Sequence, residues 1–194
     1  MGKEKYQKKI EDLFEKSPVV SFSSIQRIIK DKKNIRQYSK QLVRNLILKG
    51  KINILAKGYY TKHDDPSLCV LCLDGYLGLQ DSLSFHNLWD QETIPVIITA
   101  KKVRQGIREV IGTNVLVRRI NRKYFFGFDY LKYGDFYLPV SDVEKTFIDM
   151  VYFRESLGKE MLKNLKKSVD KEKMMRYLKY YPARFREKMV SKLK

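Results

Sequence analysis

Within the first sixty-odd positions the apolar residues change period in a fixed order, and that order constrains the fold more than any other feature. Tyr6, Ile10, Leu13 and Phe14 recur at helical spacing, and Ser17-Pro18 ends that helix. Val19, Val20 and Phe22 make a short β-like run. Ser23 and Gln26 then have capping-box spacing and open a short helix with Ile25, Ile28 and Ile29 inward. Asp31 to Asn34 reads as a turn. A third helix carries Tyr38, Leu42 and Leu46 on one stripe and is closed by Gly50. Two short runs, 51–55 and 59–61, flank Gly58 as a β-hairpin.

Helix, strand, helix, turn, helix, hairpin is the order of a winged helix-turn-helix, whose third helix enters the major groove and whose hairpin lies on the backbone. With Leu42 set toward the core, the opposite face of the third helix carries Gln37, Lys40 and Arg44, flanked by Arg36 and Gln41. Arg and Lys donate to guanine O6/N7 and Gln pairs with adenine, so these side chains have base-reading chemistry. Lys51 and Lys57, with Lys62, suit phosphate contacts that position without reading sequence.

Charge falls in the same place. Of a net +18, residues 1–62 hold +11, residues 63–153 hold −2 and residues 154–194 hold +9. A basic head and tail around a near-neutral middle point to a polyanionic partner, nucleic acid first. No run reaches 18 apolar residues and no apolar segment follows the N-terminus, which predicts a cytoplasmic protein without a membrane partner.

The middle predicts a helix opened by Asp74-Gly75 with Tyr76, Leu79, Leu83 and His86 on one face. It also predicts a buried strand over 95–99, a hairpin of 115–120 with 124–128, and a helix capped by Ser141 and Glu144 that buries Val143, Phe147, Ile148 and Val151. The tail, 158–194, reads as two or three amphipathic basic helices. The expected fold is α+β: a winged helix-turn-helix domain over 1–62, a small α+β domain with an antiparallel sheet over 63–157, and C-terminal helices over 158–194.

Several motifs, in order, resemble the AbiEi antitoxin family. They are Gly75-Tyr76-Leu77-Gly78-Leu79-Gln80 running on to Leu83-Ser84-Phe85-His86-Asn87-Leu88, Val96-Ile97-Ile98-Thr99, Arg118-Arg119-Ile120, Lys123-Tyr124-Phe125-Phe126-Gly127, and residues 139–149 from Pro139-Val140-Ser141 to Asp149. The resemblance covers roughly residues 5–155. It implies a transcriptional regulator that represses its own operon as the antitoxin of a type IV toxin–antitoxin, or abortive infection, system. Such a regulator binds double-stranded operator DNA and counteracts a nucleotidyltransferase-like toxin without a stable complex.

Cys69 and Cys72, with His63 and His86, have zinc-ligand chemistry, but both thiols lie in the apolar run 68–73 and are expected to be buried hydrophobes. No metal or cofactor is expected. Asp142, Glu144, Lys145 and Asp149 resemble a nuclease set, yet the first two stand where carboxylates cap a helix. No nucleophile set, phosphate-cradling loop or dinucleotide fingerprint is present, so no enzyme is expected. The alternative is an RNA-binding protein that uses the basic head and exposed rings at Tyr124 and Phe126, with Phe125 in the core. Homodimerisation is left open.

Overall fold

The computed structural model describes residues 2–29, 32–91 and 93–193. It is an α+β chain that divides into two compact units, residues 1–72 with 109–113, and residues 73–108 with 114–194. Asp31, at the start of the expected turn, lies outside the described residues.

In the first unit, helix α1 (Gly2–Lys16) is followed by strand β1 (Val20–Ser21), helix α2 (Phe22–Ile28), helix α3 (Ile35–Leu48) and the strands β2 (Asn53–Ala56) and β3 (Tyr59–Thr61). The strands form one antiparallel sheet in the order β1-β3-β2, with Val20 opposite Tyr60 and Asn53 opposite Thr61. Tyr6, Ile10, Phe14, Val20, Ile25, Ile29, Val43, Leu46 and Ile52 form its core. The helix starts differ slightly from expectation. Ser21, not Ser23, caps α2, its hydroxyl accepting from the Ser24 N–H at 3.1 Å, because the chain leaves β1 directly into the helix. Asn34 caps α3 by accepting from the Gln37 N–H at 3.2 Å. At the other end Gly50 takes φ +65° while Gly50 N–H bonds Ile47 C=O and Lys51 N–H bonds Leu46 C=O, both at 2.9 Å. That pair of bonds is the Schellman arrangement a C-terminal glycine permits.

The first unit runs ten residues past the expected boundary at 62. A 3₁₀ turn capped by Asp65 leads into a one-turn helix, α4 (Cys69–Cys72), in which Leu68, Cys69, Val70 and Cys72 are buried. The Cys69 thiol donates to Leu55 C=O of β2 at 3.7 Å. An apolar run of this kind cannot serve as a solvated linker, so it folds onto the sheet beside it.

Apart from the turn at 109–113, which groups with the first unit, the second unit holds a six-stranded mixed sheet in the order β6-β7-β5-β4-β9-β8. Its strands are β4 (Gly75–Leu77), β5 (Val96–Thr99), β6 (Gly106–Val110), β7 (Thr113–Arg119), β8 (Phe128–Tyr133) and β9 (Phe136–Ser141). Helices α5 (Leu79–Phe85), α6 (Val143–Tyr152), α7 (Lys159–Ser168), α8 (Lys171–Leu178) and α9 (Ala183–Leu193) complete the unit. Four expectations change here. The sheet, expected to be antiparallel, is mixed, because β4 with β9 and β5 with β7 run parallel. Tyr76 is on a strand, not a helix: Gly75 brings β4 against β5 so closely that a Cβ would stand 2.7 Å from Ile98 C=O. The expected hairpin of 115–120 with 124–128 does not form, since β7 pairs with β5 in parallel and with β6, while β8 pairs with β9. The C-terminal helices are no separate domain, because Met161, Leu165, Met174, Leu178, Tyr181 and Met189 share one core with Phe147 and Ile148 of α6.

Residues 144–151 of α6 are all buried, four of them polar. Asp142 rather than Ser141 is the cap, accepting from Lys145 N–H at 2.7 Å. Its other oxygen accepts from Tyr177 Oη at 2.7 Å and meets Lys173 at 3.0 Å. Glu144 accepts from Asp170 N–H at 2.8 Å and also meets Lys173. Lys145 pairs with Asp149, which accepts a further bond from Tyr76 Oη at 2.7 Å. These four charged residues tie α6 to α8 and β4. No helix among the described residues is long and apolar enough to cross a membrane.

Candidate nucleic-acid interface

Helix α3 presents the basic and amide side chains together because its core stripe is narrow. Ser39, Val43 and Leu46 are buried, and Tyr38, Leu42 and Ile47 are half-buried at the edges. At about 100° per residue the direction opposite that stripe passes between Gln37, Gln41 and Leu48, with Arg44 next to them. Lys40 lies to one side and Arg36 nearer the core, at the first turn. Arg36, Gln37, Lys40, Gln41 and Arg44 are all exposed. The stripe is centred on Val43 rather than Leu42, which turns Gln41 outward and Lys40 to the flank. Gln41 Nε2 donates to Asn45 Oδ1 at 3.1 Å, within the helix.

Leu48, 74% exposed at the end of this face, was not singled out by sequence reading. Helical spacing from Gln37 and Gln41 would have found it. Lys32 and Lys33, exposed in the turn before α3, were also passed over; Lys32 Nζ sits 5.1 Å from the Tyr38 ring centroid.

The two hairpin lysines have different surroundings. Lys57 is exposed in the turn between β2 and β3 and makes no ion pair among the described residues. Lys51, at the open end of the hairpin, is bonded to Glu11 of α1 at 2.7 Å. That bond, and a second from Gln7, hold the Glu11 carboxyl below the usual glutamate range. Lys62 makes the matching pair with Glu15 at 2.7 Å. Sequence gave Lys51 and Lys57 one role; their settings separate them.

The remaining candidates fall elsewhere. Cys69 and Cys72 are buried and not joined in a disulfide. His86 Nε2 bonds Ser141 C=O at 2.7 Å. Among the described residues no group of three or more metal-type ligands is assembled. Tyr124, expected on the surface, is 5% exposed and stacks on Tyr181 with centroids 4.2 Å apart. Phe126 packs against Tyr177 and Tyr180. The rings on which base stacking was to rest are therefore occupied by other rings.

No family model matches the sequence, and a comparison with curated proteins finds no match. Among solved structures, the crystal structure of the RV2827C protein from Mycobacterium tuberculosis is similar over 95% of this chain and 74% of its own, with a TM-score of 0.61 at 14% identity. At that identity the likeness concerns the fold.

Proposed function

We propose that residues 1–72 form a winged helix-turn-helix that docks α3 in the major groove of duplex DNA. In this reading the chain is a transcriptional repressor of the AbiEi antitoxin type that binds its own operator and counteracts a nucleotidyltransferase-like toxin. The observation that carries the reading is the exposed surface of α3, where Gln37, Gln41 and Arg44 stand on the outward face with Lys40 and Arg36 exposed beside it, on a helix whose other side is anchored in the core. Helix order and the three-stranded sheet support the same assignment. Arg44 and Lys40 donate to guanine, Gln37 and Gln41 pair with adenine, and Arg36 and Lys57 hold phosphate. Lys51 acts more weakly, since Glu11 already neutralises it.

The antitoxin part rests on the ordered motifs between Gly75 and Asp149. In the folded chain they supply the inner strands β4 and β5, the end of β9 and the buried helix α6.

The test is competition at fixed salt among duplex DNA from the region upstream of this chain's own gene, random duplex and single-stranded RNA. The upstream duplex is expected to win. Preference for the RNA would overturn the reading.

A further inference from the structure

Between α1 and α3 lies a groove of about 250 Å³ lined by Gln7, Tyr38, Gln41, Leu42, Asn45, Leu46 and Lys49. Its lining combines apolar surface from Leu42, Leu46 and Tyr38 with three side-chain amides and the Lys49 ammonium.

The polar groups are not used up by the fold. Gln41 Nε2 donates to Asn45 Oδ1, which leaves the Asn45 amide N–H groups and Gln41 Oε1 available. Gln7 Nε2 donates to Glu11, leaving its own oxygen. Tyr38 Oη is shielded from solvent yet has no hydrogen-bond partner among the described residues. Having no exposed surface, that hydroxyl is closed to a ligand in the groove, which meets the Tyr38 ring instead.

The geometry points to a binding site for a small aromatic carboxylate, seated with its ring on Leu42, Leu46 and Tyr38 and its carboxylate on Lys49 and the Asn45 amide. Volume supports a ligand of this size, since pockets for larger small molecules begin near about 300 Å³. Charge supports the anion: Lys49 is the one ionisable side chain of the lining besides the Tyr38 phenol. Gln41 gives the site its consequence. It lines the groove, stands on the outward face of α3 and is bonded to the Asn45 amide that the ligand would engage, so a bound ligand shifts the Gln41 side chain. The ligand would thereby alter duplex binding, and this consequence, unlike the binding itself, rests on the DNA-binding reading.

The experiment follows the side-chain amide resonances of Gln41 and Asn45 in the full chain, without DNA, during titration with benzoate, salicylate and the neutral isostere benzamide. Saturable shifts with the two carboxylates and much weaker ones with benzamide are expected. Lys49→Gln should weaken salicylate binding about tenfold or more, from the charge-assisted hydrogen bond it removes, whereas Tyr38→Phe, which keeps the ring, should leave it within about twofold. Equal response to benzamide, or unchanged binding by Lys49→Gln, would overturn the site. Shifts that follow protein concentration instead of ligand would also overturn it, by showing that a second copy fills the groove. Repeating the upstream-duplex titration with saturating salicylate should change the duplex Kd at least threefold; an unchanged Kd would overturn the coupling. Ligand binding by a chain that binds no duplex would contradict the proposed function while upholding the site.

Discussion

Lys51 and Lys57 show how one residue type takes two roles within a single hairpin. An exposed ammonium opposite a carboxylate has a neighbour to leave before it can meet phosphate, whereas one in an open turn does not. Each phosphate neutralised steepens the dependence of log K on log salt by about 0.9. Lys57→Ala is therefore expected to weaken upstream and random duplexes alike and to flatten that slope by about 0.9 in anisotropy titrations between low and moderate salt. Lys51→Ala should flatten it by less than half as much. Equal effects would show that the Glu11 pair is broken on DNA. Gln37→Ala should behave differently, keeping the salt slope while losing discrimination, because a good bidentate base contact is worth about 1–3 kcal/mol.

Elements differ in how far their own residues determine them. Helix α3 is locally specified at both ends by Asn34 and Gly50, and its apolar stripe has the right period, so sequence reading placed it and its exposed side chains. Gly50→Ala should cost about 1–2 kcal/mol in urea unfolding, since a Cβ at φ +65° meets the following carbonyl. Strand β4 is the opposite case. Tyr76, Leu79 and Leu83 have helical spacing, but the fit of Gly75 against Ile98 and pairing on both sides by β5 and β9 make residues 75–77 a strand. The hairpin of β8 and β9 was missed because its strands carry no clean alternation. Helix α6 was placed correctly, but its buried charges were not legible, as their partners Tyr76, Asp170, Lys173 and Tyr177 lie far away in sequence. Burial pushes Asp149 above the usual carboxylate range and Lys145 below the usual ammonium range, so each depends on the other to be buried at all. Lys145→Met or Asp149→Leu alone should destabilise by about 3–5 kcal/mol, and the double variant by much less. Additive losses would show that the two do not act as a pair.

At the scale of the whole molecule, the division at residue 72 rather than 62 changes where the chain can be cut. A fragment ending at 62 loses the buried run Leu68 to Cys72 that covers β2 and is expected to melt well below a 1–72 fragment by circular dichroism. Cutting at 72 also parts the first unit from residues 109–113, which group with it, so the intact chain is the proper material for the decisive test. The central claim is that the outward face of α3 reads duplex sequence. It is tested most directly by the ratio of the Kd for random duplex to the Kd for the upstream duplex, measured at one salt concentration for the wild type and for Arg44→Ala. Loss of one base-reading contact should lower that ratio by about tenfold or more, with the melting temperature unchanged. A ratio that Arg44→Ala leaves where it stands in the wild type would contradict the account.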